Sequence, residues 1–240
     1  MNSNKMTARI ADLSPRKAIT VLRILYPIWT VVGLFSIMYV PTTLIVPEDA
    51  ATTANNLMAN ELLFNLGIIG SLITQLIHIV VVLVLYELFK PVSKNQASLI
   101  VILGLVGVPI TMLNTLNQVA ALLVLSGADY LAVFTADQSQ SLMMFFLYLN
   151  EQGILIASIF WGLWLFPIGT LTYESRYFPR IFGHSMIVAG FGYLLGSFAH
   201  LLLPNDEAVF FQVFDLMTFG EILFMLWAVF RGAKLPEMKS

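Results

Sequence analysis

LLFNLGIIGSLITQLIHIVVVLVLYELFKPVSKNQASLIVILGLVGVPITMLNTLNQVAALLVL, residues 62–125, is two long apolar segments joined by the basic link Lys90-Pro91-Val92-Ser93-Lys94. Either segment, wound at 1.5 Å per residue, is long enough to cross a hydrocarbon layer of ~30 Å. The proline of the link stops the first helix where water again satisfies the backbone. Each segment also carries one polar line. Ser71, Thr74, Gln75 and His78 recur at spacings of three and four, which places them on one helical face, and Thr111, Asn114, Asn117 and Gln118 do the same. Gln75 and Asn114 fall at comparable depth, so the two polar faces are expected to turn inward and meet.

The rest of the chain is of one kind with this hairpin. At 58% hydrophobic and 11% charged residues, with a mean hydropathy of +0.85, its 240 residues are too apolar for a soluble core. Apolar runs at Leu22–Ile45, Leu62–Phe89, Ala97–Leu125, Leu142–Thr172, Ile181–Leu203 and Val209–Phe230 predict an all-α polytopic membrane protein. The expected architecture is one domain over residues 1–240, an antiparallel bundle of six transmembrane helices behind a polar head at 1–20. Zero cysteines exclude disulfides, thiolate metal sites and a catalytic thiol.

Charge fixes the direction of threading. All twelve Lys and Arg fall on one side of the six-span arrangement, in the head (Lys5, Arg9, Arg16, Lys17, Arg23), the Lys90–Lys94 link, Arg176 and Arg180, and the tail (Arg231, Lys234, Lys239). The opposite loops hold only acids: Glu48, Asp49, Glu61, Asp129, Asp137, Asp206 and Glu207. Positive loops stay cytoplasmic, so both termini are expected inside. The basic head also suits anionic lipid headgroups, and nothing in the pattern indicates nucleic acid.

Along the chain, Ser14-Pro15 reads as an N-cap followed by proline at the first helical position, with Pro27 and Pro41 near the two ends of the first span. The basic head continues into an uncleaved anchor rather than a signal peptide. Residues 51–60 are small and polar and suit a short surface helix. Gly104, Gly107 and Pro109 permit a kink in the third span, and Asn150-Glu151-Gln152-Gly153 interrupts the fourth apolar run. Outer turns are expected at Ser126-Gly127-Ala128-Asp129-Tyr130 and Pro204-Asn205-Asp206-Glu207. Gly192 and Gly196 give the fifth span a face that admits another backbone closely.

Five blocks in order, Ala8-Arg9-Ile10-Ala11, Pro47-Glu48-Asp49-Ala50, Ser126-Gly127-Ala128-Asp129-Tyr130-Leu131, Phe178-Pro179-Arg180-Ile181-Phe182-Gly183 and Gly220-Glu221, resemble the bacterial polytopic membrane proteins grouped as domain-of-unknown-function family 4386. The resemblance implies a multi-pass protein of the bacterial cytoplasmic membrane with six helices. It implies no activity, cofactor, ligand or catalytic residue.

Ionisable side chains near a bilayer centre cost ~2.5–3.5 kcal/mol each on insertion scales, so such residues are expected to face the bundle interior and to act there. Glu151 and Glu221 qualify, with Asp215 shallower, and no basic residue lies at their depth except His78. The functional expectation is a polar pocket of Gln75, His78, Asn114, Gln118, Glu151 and Glu221 that binds or transports a small molecule or cation, or relays protons. For the amides, interhelical hydrogen bonding that fixes packing is the preferred reading; for the two glutamates, function is. No His-x-x-x-His pair supports a metal, and no Gly-x-Ser-x-Gly elbow supports a serine hydrolase. An accessory subunit that pairs with itself or another membrane protein through Gly192 and Gly196 is the alternative, and a lipid-modifying intramembrane enzyme comes third.

Overall fold

The structure is a computed structural model and describes residues 13–202 and 207–236. Expectations resting on Lys5, Arg9, Asp206, Lys239, the block at 8–11 and the turn at 204–206 lie outside the described residues. All the regular structure described is helical. Helix α1 runs Pro15–Leu44, α2 Ala50–Ala59, α3 Glu61–Phe89, α4 Lys94–Leu125, α5 Ala136–Ser175, α6 Arg180–Leu202 and α7 Glu207–Phe230. Six of these are long and apolar enough to cross a membrane, α2 being the short exception. Large apolar side chains stay exposed along them, among them Leu62 at 74%, Leu113 at 66% and Leu216 at 68%. Water would penalise such faces, whereas lipid tails accommodate them.

Helix ends follow local chemistry. Ser14 caps α1, its Oγ accepting from the Lys17 N–H at 3.5 Å and its carbonyl from the Ala18 N–H at 2.9 Å. Because α1 starts there, ahead of the apolar run, Pro27 stands inside the helix instead of near its end. Farther along, Leu34–Tyr39 widens into a π-helical turn in which the Ser36 hydroxyl donates to the Val32 carbonyl at 2.8 Å. The polar tetrad at 150–153 does not break α5, which is continuous from Ala136 to Ser175. Asparagine and glutamine tolerate a helix interior when their side chains find partners, and one does.

Two compact units make up the chain, one of Met1–Ile28, Ile77–Val108 and Ile156–Ser240, the other of Trp29–Leu76 and Pro109–Leu155. In the second, Val40, Leu44, Leu57, Phe64, Met143 and Leu147 belong to one hydrophobic cluster. Helix α2 folds back on the end of α1. Thr53 Oγ1 takes the Val46 N–H at 2.9 Å, and Asn56 Nδ2 donates to the Leu44 carbonyl at 3.1 Å, so side chains supply what the helix end lacks. In the first unit, α5 and α6 approach at glycines. A Cβ built on Gly162 would lie 2.7 Å from the Gly190 carbonyl, and one on Gly169 would lie 2.7 Å from the Gly183 carbonyl. Helices without side chains at the contact bring their backbones together, which is how apolar helices gain dispersion energy in lipid.

Candidate functional site

Ser71, Thr74, Gln75 and His78 are all buried, as are Thr111, Asn114 and Gln118. The polar lines therefore lie on the protein-facing sides of α3 and α4, but the hydrogen bonds take particular routes. In the unit of residues 29–76 and 109–155, Asn114 Nδ2 donates to the Asn150 carbonyl at 2.7 Å, and Asn150 Nδ2 returns the bond to the Asn114 carbonyl at 3.2 Å. Asn117 Nδ2 completes the set by donating to Asn114 Oδ1 at 2.9 Å. This is a reciprocal clasp between α4 and α5. It is possible because residue 153 is glycine, since a Cβ there would coincide with the Asn114 carboxamide. The bond from Asn114 thus goes to α5, and Asn150, one residue from Glu151, takes the interior position. Glu151 itself is exposed on the outside of α5. Gln75 is buried, and the Gln118 Oε1 is buried with no hydrogen-bond partner among the described residues.

The remaining two candidates belong to the other unit. His78 is buried, with Nε2 3.2 Å from the Gly104 carbonyl and its ring 4.7 Å from that of Trp164. A carbonyl only accepts, so in this contact Nε2 carries the proton. Gly104 is itself tightly packed, as a Cβ there would lie 2.7 Å from Val82. Glu221 is half-buried on α7, and its Oε2 accepts from the Tyr193 hydroxyl of α6 at 3.1 Å. The Trp161 ring meets Tyr193 edge-on at 6.3 Å. Tyr26, in the same unit, is 3% exposed. No Lys, Arg or His among the described residues forms an ion pair with Glu221. Asp215 is exposed.

Below Tyr193 on α6, the Ser197 hydroxyl donates to the Tyr193 carbonyl at 2.8 Å and lies 2.6 Å from the Ser158 hydroxyl of α5. Tyr193, Asn150 and this serine pair escaped the sequence reading. Asn150 was visible within its tetrad, but period alone does not say which of two adjacent polar residues turns inward. Nothing in the sequence ties Tyr193 to Glu221, because the two meet only through the packing of α6 on α7. That packing also occupies Gly192, where a Cβ would lie 2.8 Å from the Met217 Cβ and from the Phe214 carbonyl, both in the chain's own last helix.

Six apolar crossings with polar side chains turned to their buried faces define a multi-pass α-helical membrane protein. Residues 24–232 match the family described as "Domain of unknown function (DUF4386)", and the chain belongs to that family. An uncharacterized protein of Archaeoglobus fulgidus is 30% identical over 176 residues, covering 72% of this chain and 88% of that protein. No solved structure matches the chain.

Proposed function

We propose that the protein binds a small molecule or cation within the membrane, at Glu221 and Tyr193, and carries it across. The observation that carries this reading is the Glu221 carboxyl, set in a membrane-crossing helix with a tyrosine hydroxyl and no cationic partner among the described residues. Insertion of such a group is costly, and a structural hydrogen bond in lipid averages only ~0.6 kcal/mol, too little to offset it. A proton or cation arriving from outside the chain balances the charge. His78, buried in the same unit as Glu221, is a further polar group for this function, while Asn114 is engaged in its clasp and Glu151 faces outward.

The test compares thermal stability of the purified protein and Glu221→Gln across pH, sodium concentration and a panel of small metabolites. Wild type is expected to respond to at least one of these and the variant to lose that response; identical responses throughout would remove the basis for the site. The same reading places both termini in the cytoplasm of a bacterial inner membrane, since every Lys and Arg lies on one side of the threading. With no native cysteine, single cysteines at Ser93 and Ser126 report sidedness directly. Labelling of Ser93→Cys from outside intact cells would reverse the orientation.

A further inference from the structure

A second site is formed where α5 and α7 end and α6 begins. The loop after α5 and the segment after α7 enclose a cleft of about 510 Å³, lined by Arg176, Tyr177, Phe178, Trp227, Arg231 and Lys234 among others. That volume is in the range of small-ligand sites. Its walls are built, not incidental. Gly232 at φ +69° turns the chain at the end of α7, its N–H and that of Arg231 closing on the Trp227 carbonyl, and the Lys234 N–H then bonds the Tyr177 carbonyl at 2.8 Å. Arg176 holds φ +58°, a conformation that a side chain adopts at a cost, and it ends α5 at the cleft mouth.

Among the described residues, the charge lining this cleft is all of one sign. Arg176, Arg231 and Lys234 are exposed, no carboxylate lines the cleft, and none of the three forms an ion pair among the described residues. Glu174, the nearest acid along the chain, is not part of the lining. A fourth cation stands behind them: Arg23 Nε donates to the Val229 carbonyl at 2.7 Å, capping α7 next to Gly232. Uncompensated cations held together repel one another unless an anion joins them. Tyr177, Phe178 and Trp227 add an aromatic wall, and Trp and Tyr favour the headgroup level of a membrane. The cleft sits at the ends of three apolar crossings, where phosphates of lipid headgroups are found.

We propose that this cleft binds the headgroup phosphate of an anionic phospholipid, with Arg176, Arg231 and Lys234 around the phosphate and Trp227 and Tyr177 beside the glycerol end. This assignment is independent of the Glu221 site. The experiment is native mass spectrometry of the full chain in detergent with equimolar phosphatidylglycerol and phosphatidylcholine of matched acyl chains. Wild type is expected to retain phosphatidylglycerol preferentially, and the preference should fall about fivefold for each cation removed in Arg231→Gln and Arg231→Gln/Lys234→Gln. Lys94→Gln, an exposed cation elsewhere, should leave it unchanged. If the double variant does not fold, Arg176→Gln, alone at the cleft mouth, serves in its place. Equal retention of the two lipids by wild type, or an equal loss in Lys94→Gln, would overturn the proposal. So would displacement of the lipid by millimolar inorganic phosphate with the same stabilisation, because that result assigns the cleft to a free anion.

Discussion

Two polar constellations within the membrane-crossing helices use hydrogen bonds for opposite ends. The Asn114–Asn150 clasp is reciprocal: each side-chain amide donates to the other's backbone carbonyl, Asn117 donates to Asn114 Oδ1, and both asparagines are buried. The Tyr193–Glu221 pair is open, a carboxyl with one hydroxyl partner and no balancing cation among the described residues. A reciprocal polar set in a medium without water orients helices and spends its hydrogen bonds on itself. An open one retains free valence and an ionisable group. Burial alone does not separate these cases; the count of unsatisfied valences does.

That contrast can be broken or sharpened by substitution. The largest effect is expected at Gly153→Val, which drives side-chain atoms into the Asn114 carboxamide and separates α4 from α5; a loss of about 3 kcal/mol, read by denaturant titration in mixed micelles, is the scale of severe overpacking. Asn114→Ala should cost about 1 kcal/mol by removing one half of the clasp and stranding Asn117. If it costs nothing, the clasp is an accident of proximity. Tyr193→Phe deletes one hydroxyl and should cost at most about 1 kcal/mol, yet it should shift the pH response of the protein, a readout that a packing role would leave alone. Glu221→Gln keeps an acceptor for Tyr193 while removing the ionisable group, so stability should change by less than about 0.5 kcal/mol while ligand response disappears. A large loss of stability with ligand response intact would move Glu221 into the same category as the asparagines.

The smallest effect lies outside the membrane. Asp49 caps α2, accepting from the Thr52 hydroxyl at 2.6 Å and the Thr52 N–H at 2.9 Å, and these bonds hold its carboxyl below the ordinary aspartate range. A carboxyl depressed in the folded state contributes stability above its unfolded pKa and loses it as pH falls through the folded value. Acid titration below about pH 4 should therefore weaken wild type slightly more than Asp49→Asn, and parallel curves would deny the cap any role.

The six crossings were legible because hydrophobic runs and breaking residues act locally: Lys90-Pro91 ends α3 and restarts the chain at Lys94 without help from tertiary contacts. The buried faces were legible too, since Ser71, Thr74, Gln75 and His78 share a helical side whatever packs there. Partner choice was not. Adjacent residues such as Asn150 and Glu151 lie ~100° apart, and the rotation of α5 that selects the asparagine is set by Gly153 meeting α4. The Tyr193–Glu221 contact likewise depends on the approach of two helices, which no periodicity within either one encodes.

The wide turn at Leu34–Tyr39 has a consequence for mutation in α1. Such a turn is an ordinary helix carrying a surplus residue, and the surplus swings everything beyond it by ~100° about the axis. Val40, whose methyls fill the space over Gly67, meets α3 in its present register because of that swing, and Ser36, within the turn itself, sits at Gly70. Loss of a single residue between 34 and 39 would let the turn close to ordinary helix with Val40 still over Gly67, whereas straightening the turn with every residue kept would rotate the end of the helix by ~100° and point its inner side chains into lipid.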